Sequence, residues 1–284
     1  MPDLSPLKPG LYLVATPIGS ARDITLRALD VLAAADVIAA EDTRTARKLM
    51  TLHGISAAGR ELVAYHDHSG PATREKLMDA IAAGNSVAYV SEAGTPLVAD
   101  PGFMLLRDAI ERDLPVTTAP GASAVLSALA VAGMPTDRFF FAGFLPSKSG
   151  ARTKELAALK AVPSTTVFYE SPRRIAATLG AMIEVFGSDR PVAICRELTK
   201  KFEQTARGTL DEIVPLLDDG IPLKGEFVIV LGPPEIAAPK TEDLDAAILD
   251  ALTTQSIRDA SAQIAADLDL PRKKVYQRAL ALSK

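Results

Sequence analysis

The chain has 284 residues, of which 48% are hydrophobic and 23% are charged; these values are typical of a globular protein and exclude both a disordered chain and a membrane bundle. Its length corresponds to roughly two domains of ~150 residues. The 31 basic and 35 acidic residues give a net charge of -4, which excludes a uniformly basic nucleic-acid-binding coat but not local basic patches.

Cysteine usage and the N-terminal sequence bear on the cellular compartment. The single Cys195 excludes an internal disulfide and a zinc site built from several thiolates. The first ten residues contain no basic start followed by an apolar stretch, so no signal peptide is predicted. The most apolar stretch, 28–40, contains Asp30 and Asp36 and is shorter than the ~20 residues that span a bilayer. We therefore expect a cytoplasmic protein without a membrane anchor.

Short β-branched runs alternate with helical patterns from residue 11 to residue 118. The runs predict strands at 11–16, 37–41, 61–66, 86–91 and 116–118. Between them, apolar residues recur at helical spacing, as in Leu26, Leu29 and Ala33. This alternation predicts a parallel sheet covered by helices. A ligand is then expected in the loops at the carboxyl ends of the strands.

The pattern changes after Pro120-Gly121. A small-residue helix is predicted at 122–132, followed by strands at 139–144, 165–170, 192–198, 202–209 and 226–231. Successive strands here are closer together along the chain, which favours antiparallel pairing. A linker is predicted from Pro233-Pro234 to Lys240, and the remaining sequence is helical in pattern. The sequence thus predicts an α/β protein with an N-terminal α/β domain at 1–119 that contains a parallel sheet, a C-terminal mixed-sheet α/β domain at 120–234 and a helical tail at 241–284.

Basic residues are concentrated in two segments. Residues 148–207 contain eleven Lys and Arg against six Asp and Glu, and residues 271–284 contain five basic residues and no acidic one. Each segment therefore has a net charge of +5, which leaves -14 for the rest of the chain. Such clusters fit contact with a polyanion at a restricted site. Solvated charged faces explain the same counts equally well.

Four segments of the predicted strand-to-helix loops contain glycine or proline: TPIG at 16–19, SEAGTP at 91–96, DPG at 100–102 and PGAS at 120–123. Glycine permits sharp bends and proline fixes φ, so backbone groups can approach a ligand closely. One such loop would indicate only a turn. Four of them favour a shared pocket for a polar organic cofactor.

His66 and His68 lie two residues apart at the end of a predicted strand. This spacing places both imidazoles on one side, where they could bind a metal ion. A polar strand end is the commoner explanation of such a pair, and the sequence offers no evident third ligand. No metal site is therefore predicted.

Eight segments match, in order and spacing, the motifs of one methyltransferase superfamily. They are LYLVATPIG with DITLRAL (11–29), AEDTR (40–44), YHDH (65–68), SEAGTPLVADPG (91–102), PGASA (120–124), FYESPRR (168–174), RELTKKFE (196–203) and KGEFVIV (224–230). The chain thereby resembles the tetrapyrrole-methylase-like superfamily of S-adenosylmethionine (SAM) methyltransferases. It is most similar to the branch of 16S ribosomal RNA cytidine 2′-O-methyltransferases. Departures are small: Ser20-Ala21 stands where the family usually has Asn-Leu, and Glu92 where it usually has Asp.

The resemblance implies a fold, a cofactor and an assembly. It implies two α/β domains of the tetrapyrrole methylase type with SAM bound in the cleft between them, and a homodimer formed largely through the second domain. It implies no metal. The residues whose positions match the cofactor-binding motifs are Pro17, Ser91, Ala93, Gly94, Ala122, Ser123, Phe168, Tyr169 and Gly225.

A base near the ribose hydroxyl would assist the departure of the proton. The candidate carboxylates in the matching motifs are Glu41, Asp42, Asp100, Glu170 and Glu197. Of these, Glu170 and Asp100 are the predicted catalytic groups, with Lys200 or Lys201 to stabilise a developing negative charge or a neighbouring phosphate. In the alternative, Asp42 and Asp100 cap helices and Glu197 pairs with an arginine. The basic residues of the motifs that are predicted to contact the RNA backbone are Arg44, Arg173 and Arg174.

The tail has the pattern of a helix-turn-helix. Helices are predicted at 256–268 and 272–282, with a turn at Asp269-Leu270-Pro271 and with Ile264, Leu268, Val275 and Leu280 facing inward. The second helix opens with three cations, Arg272, Lys273 and Lys274. In this context we expect the basic helix to bind ribosomal RNA phosphates. A helical lid that packs on the dimer is an equally good interpretation.

The leading hypothesis is SAM-dependent 2′-O-methylation of a cytidine in the decoding region of 16S ribosomal RNA, within the small ribosomal subunit. A small-molecule tetrapyrrole methylase is the alternative within the superfamily, and the AEDTR and YHDH segments and the basic tail argue against it. A DNA-binding regulator that uses SAM as an effector is the alternative from another class. It predicts sequence-specific duplex binding and no turnover.

Overall fold

The computed structural model describes residues 5–66, 68–217, 219–234, 241–268 and 270–283. It divides the chain into two compact units, Met1–Pro234 and Glu235–Lys284. Residues 235–240 of the linker predicted from Pro233-Pro234 to Lys240 lie outside the described residues. Within the described ranges, no helix is long and apolar enough to cross a membrane.

The first sheet has five parallel strands in the order β3-β2-β4-β1-β5. Its strands are β1 (Gly10–Val14), β2 (Val37–Ala40), β3 (Glu61–Ala64), β4 (Ser86–Val90) and β5 (Val116–Ala119), and its helices are α1 (Leu26–Ala34), α2 (Thr43–Leu52), α3 (Pro71–Ala82) and α4 (Phe103–Glu111). The predicted parallel sheet is confirmed. Four strands end one or two residues before their predicted ends, and β5 ends one residue later.

Helices cover both faces of this sheet. On one face, Leu32 of α1 and Met50 of α2 belong to a cluster of buried apolar side chains. On the other face, Leu77 of α3 and Leu105 of α4 belong to a second such cluster. Every residue of β2 and β4 is buried as a result. Since both faces are occupied, the loops at the carboxyl ends of the strands are where this sheet can hold a ligand.

The second sheet is mixed, with strand order β6-β7-β10-β8-β9. Its strands are β6 (Phe139–Phe144), β7 (Thr165–Glu170), β8 (Pro191–Arg196), β9 (Gln204–Thr209) and β10 (Phe227–Leu231), and the helices of this half are α5 (Ala124–Ala132), α6 (Ser149–Leu159), α7 (Ile175–Phe186) and α8 (Leu210–Ile213). The predicted antiparallel pairing is confirmed for three of its four strand pairs. It is wrong for β6 and β7, which are parallel because α6 carries the chain back between them.

Helix α5 joins the two halves of the first unit. Its residues Val125 and Leu129 pack on the second sheet against Val228, in a cluster that also contains the free, buried Cys195. Apolar side chains from the loops after β1 and β4, Ile18 and Val98 among them, pack against the same cluster. The loops of the first sheet therefore contact the α5-covered face of the second. The predicted domain boundary at 119/120 falls between β5 and α5 and stays a prediction.

The tail is a unit of three helices, α9 (Thr241–Leu252), α10 (Ile257–Asp267) and α11 (Arg272–Leu282). The predicted inward residues Ile264 and Val275 are buried and Leu268 is partly buried. The prediction is wrong for Leu280, which is 40% exposed, while Ala279 is fully buried. Residue 279 lies one helical turn after Val275 and so shares its face, whereas residue 280 is turned away from it. Asp269 of the predicted turn lies outside the described residues.

Candidate functional site

Three of the predicted loops meet at one place. The Thr16 N–H donates to the Gly94 carbonyl at 2.8 Å, and the Gly94 N–H donates to the Thr16 carbonyl at 3.0 Å. The Thr95 hydroxyl donates to the Ala122 carbonyl at 3.0 Å. The loops after β1, β4 and β5 are therefore hydrogen-bonded to one another. The carboxyl ends of parallel strands lie at the same edge of a sheet, which is why loops distant in the sequence converge here.

Where the three loops meet, the glycine positions have little space for a side chain. Gly94 has a φ of +83°, and a Cβ there would lie 3.3 Å from Ile18 Cγ2. A Cβ on Gly121 would lie 3.0 Å from Ala15 Cβ. Both positions thus require glycine or a shift of their neighbours. The result is a cradle, formed by the loops at 16–19, 91–96 and 120–123, in which a ligand can approach the backbone.

One buried polar atom in this cradle lacks a partner. Thr16 is buried, and its Oγ1 has no hydrogen-bond partner among the described residues. Buried hydroxyls are normally hydrogen-bonded, because an unpaired one loses its hydration without compensation. The neighbouring Ser91 is also buried, and its hydroxyl makes a long contact of 3.4 Å with the Ala93 carbonyl. The cradle therefore fits a ligand that carries hydrogen-bonding groups.

The opposite wall of the site is Tyr169 on β7. Its ring lies edge-on to Phe141 at 4.9 Å and to Phe144 at 5.5 Å. Burial raises the pKa of Tyr169 to about 12, assisted by the negative charges of Asp100 and Glu226 and opposed by a backbone hydrogen bond with Val125. The tyrosine hydroxyl thus lies near the start of α5, with Asp100 of the first half and Glu226 of the second half in its surroundings.

The neighbouring Phe168 points away from Tyr169. It is fully buried in the cluster on the other face of the second sheet, together with Leu145 and Ile175. Successive residues of a strand face opposite sides, so only one of the two aromatic side chains can line the cleft. The structure places the Tyr169 side chain there. Phe168 can contact a ligand in the cleft only through its backbone.

The loop after β8 packs directly on the loop after β1. The Ser20 N–H donates to Thr199 Oγ1 at 3.1 Å, and a Cβ on Gly19 would lie 2.5 Å from Lys200 Cγ. Glu197 and Thr199 both have a positive φ, of 50° and 63°. Non-glycine residues seldom adopt this conformation, and it persists only where the surroundings enforce it. The sequence indicated Lys200 and Glu197 from the motif, but the contact of Lys200 with Gly19 depends on the tertiary fold.

Lys200 is held between two carboxylates. Its Nζ donates to Glu197 Oε1 at 2.9 Å and to Glu226 Oε2 at 2.6 Å. Burial disfavours the charge of Lys200, but these two hydrogen bonds outweigh it and raise its pKa. Burial likewise opposes ionisation of Glu197, yet the Lys200 hydrogen bond and the Glu226 N–H hold its pKa below the ordinary value. The predicted partner of Glu197 was an arginine; in the structure its ion pair is with Lys200.

Gly225 makes space for Glu197. Its φ is +86°, and a Cβ there would lie 2.4 Å from Glu197 Cδ. The Glu226 N–H that follows donates to Glu197 Oε1 at 3.1 Å. Gly225 therefore contributes to the site by leaving space for the Glu197 carboxylate, which holds Lys200. Glu226 itself was not among the predicted site residues, although it lies in the matching segment KGEFVIV (224–230).

Glu170 is the most enclosed of the predicted catalytic groups. Its carboxylate accepts from the Ser171 N–H and from the Thr178 hydroxyl, each at 2.7 Å, and forms an ion pair with Arg174 at 3.3 Å. The side chain has no exposed surface. Arg174 also donates to the Pro146 carbonyl. These contacts fix the start of α7, whereas Arg173 beside them is exposed.

Two acidic residues after β2 organise the next loops. Asp42 caps α2: its Oδ1 accepts from the Arg44 N–H at 2.7 Å. The Arg44 guanidinium hydrogen-bonds the same carboxylate and lowers the pKa of Asp42 to about 2. Glu41 Oε2 accepts from the Glu92 N–H at 3.0 Å, which ties the end of β2 to the loop after β4. The capping interpretation of Asp42 is confirmed; for Asp100 it is wrong, because the N-cap of α4 is Gly102.

The remaining predicted residues lie elsewhere. The His68 N–H donates to His66 Nδ1 at 3.2 Å, and Asp67 between them lies outside the described residues. Within the described ranges, no group of three or more His, Cys, Asp and Glu is arranged to hold a metal ion. In the tail unit, three exposed cations open α11: Arg272, Lys273 and Lys274.

Comparisons with known proteins agree on a family. The model of "Tetrapyrrole (Corrin/Porphyrin) Methylases" matches residues 10–214, and that of the "RsmI C-terminal HTH domain" matches residues 238–283. The chain is 47% identical to the ribosomal RNA small subunit methyltransferase I of Mesorhizobium japonicum, covering 98% of this chain and 93% of that protein. It is 45% identical to the protein of that name from Erythrobacter litoralis, covering 98% and 96%.

Solved structures share the fold at low sequence identity. The uroporphyrin-III C-methyltransferase of Thermus thermophilus, complexed with S-adenyl homocysteine, superposes with a TM-score of 0.55 at 20% identity, over 78% of this chain and 97% of that one. The methyltransferase CobJ gives a TM-score of 0.59 at 20% identity, over 81% and 95%. Diphthine synthase gives 0.59 at 14% identity, over 78% and 89%.

Proposed function

The chain belongs to the tetrapyrrole (corrin/porphyrin) methylase family and, within it, to the ribosomal RNA small subunit methyltransferase I proteins, and on this premise we propose that it methylates the ribose 2′-hydroxyl of a cytidine in 16S ribosomal RNA with SAM as the methyl donor. The observation that carries the proposal is the 47% identity to a named ribosomal RNA methyltransferase over 98% of the chain. The separate family model of the "RsmI C-terminal HTH domain", which matches residues 238–283, supports the same proposal.

The cradle fits SAM. The unpartnered hydroxyl of Thr16 and the close backbone approach at Gly94 and Gly121 suit a ligand rich in hydrogen-bonding groups. The residues that we propose to hold it are Thr16, Pro17, Ser91, Ala93, Gly94, Ala122, Ser123 and Tyr169, with Phe168 contributing backbone only and Gly225 acting through Glu197. SAM supplies an activated methyl group on a sulfonium. The protein then has mainly to hold the ribose oxygen in line with the methyl carbon.

The predicted catalytic residues take different parts in this proposal. Asp100 lies in the loop before α4, in the electrostatic surroundings of Tyr169. We assign it the role of the base that accepts the proton of the ribose hydroxyl. Lys200, charged and oriented by Glu197 and Glu226, stabilises negative charge on the substrate. Glu170 positions the loop between β7 and α7, because both of its oxygens are already engaged.

The substrate context and assembly are further parts of the proposal. Basic residues on the first unit, Arg44 and Arg173 among them, and the exposed cations that open α11 would contact RNA phosphates. We place the target within the small ribosomal subunit, in the cytoplasm. We propose a homodimer that forms through the second α/β domain, where Phe139, Phe140 and Phe144 of the edge strand β6 are exposed.

The test is methyl transfer from labelled SAM to purified 30S subunits. We expect the label in 16S ribosomal RNA at one ribose, where the modified linkage resists alkaline cleavage. Gly94→Val should abolish labelling, because a branched side chain at a φ of +83° collides with Ile18 and fills the cradle. Labelling of a porphyrin precursor, or of neither substrate, would reject the proposal.

A further inference from the structure

Helix α2 carries an exposed basic surface that extends beyond Arg44, the residue of this helix that was predicted to contact RNA. Residues 43–60 contain four basic residues and no acidic one, in a chain whose net charge is -4. Arg44, Arg47 and Lys48 follow the helical spacing of one face, and all three are exposed. We call the surface formed by Arg44, Arg47, Lys48, Thr51 and Leu52 the α2 basic face.

The α2 basic face carries a shallow, open depression. A depression of about 480 Å³ is lined by the five residues that define it. A second depression of about 550 Å³ adjoins it, shares Arg47 and Thr51, and continues along the turn at 54–58. Leu52, which is 65% exposed, provides an apolar surface beside the cations. Cations next to an exposed apolar side chain suit a ligand that combines negative charge with flat, apolar groups.

The cations differ in how far they are already neutralised. The Arg44 side chain is 89% exposed but pairs with Asp42 at 2.9 Å. Arg47 and Lys48 form no ion pair with any residue in the part of the chain that the structure describes. Arg22 is also exposed, in a 3₁₀ turn that is joined to the end of α2 by the contact of 3.0 Å between His53 Nε2 and the Ala21 carbonyl. The surface thus presents positive charge that the protein itself leaves uncompensated.

This surface begins at the edge of the SAM cradle. Asp42, the N-cap of α2, directly follows Glu41, whose carboxylate holds the Glu92 N–H in the loop that contains Gly94. The negative charge of Glu92 also acts on Arg44. From this end, the ten residues of α2 extend for about 15 Å.

We propose that the α2 basic face binds the ribose–phosphate backbone of the substrate RNA beside the target nucleotide. The inference rests on the proposed function and extends its RNA contacts from Arg44 to Arg47 and Lys48. The Arg47 guanidinium and the Lys48 ammonium donate to phosphate oxygens, and Leu52 packs against a ribose or base. The position of α2 means that these contacts hold the strand that enters the cleft.

The test compares two double variants with the same change in charge. Arg47→Gln/Lys48→Gln removes the two unpaired cations of the α2 basic face. Lys8→Gln/Arg138→Gln removes two exposed cations that precede β1 and β6, at the strand ends opposite the cleft. The affinity of each protein for a 16S ribosomal RNA fragment containing the target is measured from 0.05 to 0.5 M salt, with SAM affinity measured alongside.

We expect the slope of log K against log salt to fall by about two for Arg47→Gln/Lys48→Gln, with about 30- to 100-fold weaker binding at 0.1 M salt. SAM affinity and the rate at saturating RNA should stay at the wild-type values, with a higher KM for RNA. Lys8→Gln/Arg138→Gln should match the wild type throughout. Equal slopes for the two double variants would overturn the inference.

Two further outcomes are also decisive. If Arg47→Gln/Lys48→Gln binds the RNA fragment normally but binds 30S subunits weakly, the α2 basic face contacts a ribosomal protein and the RNA assignment is wrong. Wild-type methyl transfer to 30S subunits separates the two proposals. Labelled subunits with equal slopes reject only the α2 basic face, whereas unlabelled subunits reject the proposed function itself.

Discussion

Replacing the Thr16 hydroxyl should stabilise the protein and weaken SAM binding at the same time. Thr16→Val exchanges the unpartnered Oγ1 for a methyl group of similar size and keeps the β-branch that suits an extended backbone. Its backbone hydrogen bonds with Gly94 are retained, because they involve only main-chain atoms. The variant therefore isolates the contribution of one hydroxyl.

The two effects have different magnitudes. A buried hydroxyl without a partner costs about 1–3 kcal/mol, so we expect Thr16→Val to raise the free energy of unfolding without ligand by about 1–2 kcal/mol. For a unit of this size, each kcal/mol of added stability raises Tm by roughly 2–4 °C. A hydrogen bond lost to SAM is worth about 0.5–1.5 kcal/mol, which corresponds to an increase in Kd of about 2- to 12-fold.

Thermal unfolding without ligand and calorimetric titration with SAM measure both quantities. Thr95→Val is the matched control, because the Thr95 hydroxyl is satisfied by the Ala122 carbonyl at 3.0 Å. Its removal leaves a carbonyl unpaired and should lower Tm. If Thr16→Val leaves Tm and SAM affinity unchanged, or lowers Tm as Thr95→Val does, the hydroxyl is not the free ligand-binding group that we infer.

Two other predictions concern pH and the tail. Arg44 lowers the pKa of Asp42 to about 2, so the contribution of the Asp42 carboxylate to stability should be complete above pH ~4 and be lost as the pH falls through about 2. In urea unfolding, Asp42→Asn should lack this acid-dependent component of stability. The same pH profile of stability in wild type and variant would contradict the assignment. A chain ending at Pro234 should bind RNA more weakly, with a smaller salt slope and unchanged SAM affinity. If its RNA affinity equals that of the full chain at every salt concentration, the tail packs on the protein instead.

Most of the fold was predictable from local patterns. The strands β6 and β7 and the helix α11 have the predicted bounds, since their runs are bordered by clear turn or proline signals. Four strands of the first sheet end before their predicted ends, for example at Val14 instead of Thr16 and at Val90 instead of Ser91. Thr16 and Ser91 instead belong to the loops that form the cradle, where Thr16 pairs with Gly94.

Side-chain direction was less predictable. The motif FYESPRR indicated Phe168 and Tyr169 together, although a strand presents them to opposite faces. Which of the two lines the cleft depends on α5 covering one face of the second sheet and α7 the other. Likewise, the motif indicated Glu170 as catalytic, and only its contacts with Ser171, Thr178 and Arg174 show that its carboxylate is fully engaged.

The order of strands and helices, the glycine-containing loops and the family resemblance are properties of the sequence, because they depend on periodicity, backbone freedom and residue identity at short range. The tertiary structure decided which atoms in those loops meet: the free hydroxyl of Thr16, the clamp of Glu197 and Glu226 on Lys200, and the uncompensated cations of α2. Hydrogen-bond satisfaction and charge compensation depend on partners that are far away in the chain, and only the folded arrangement brings those partners together.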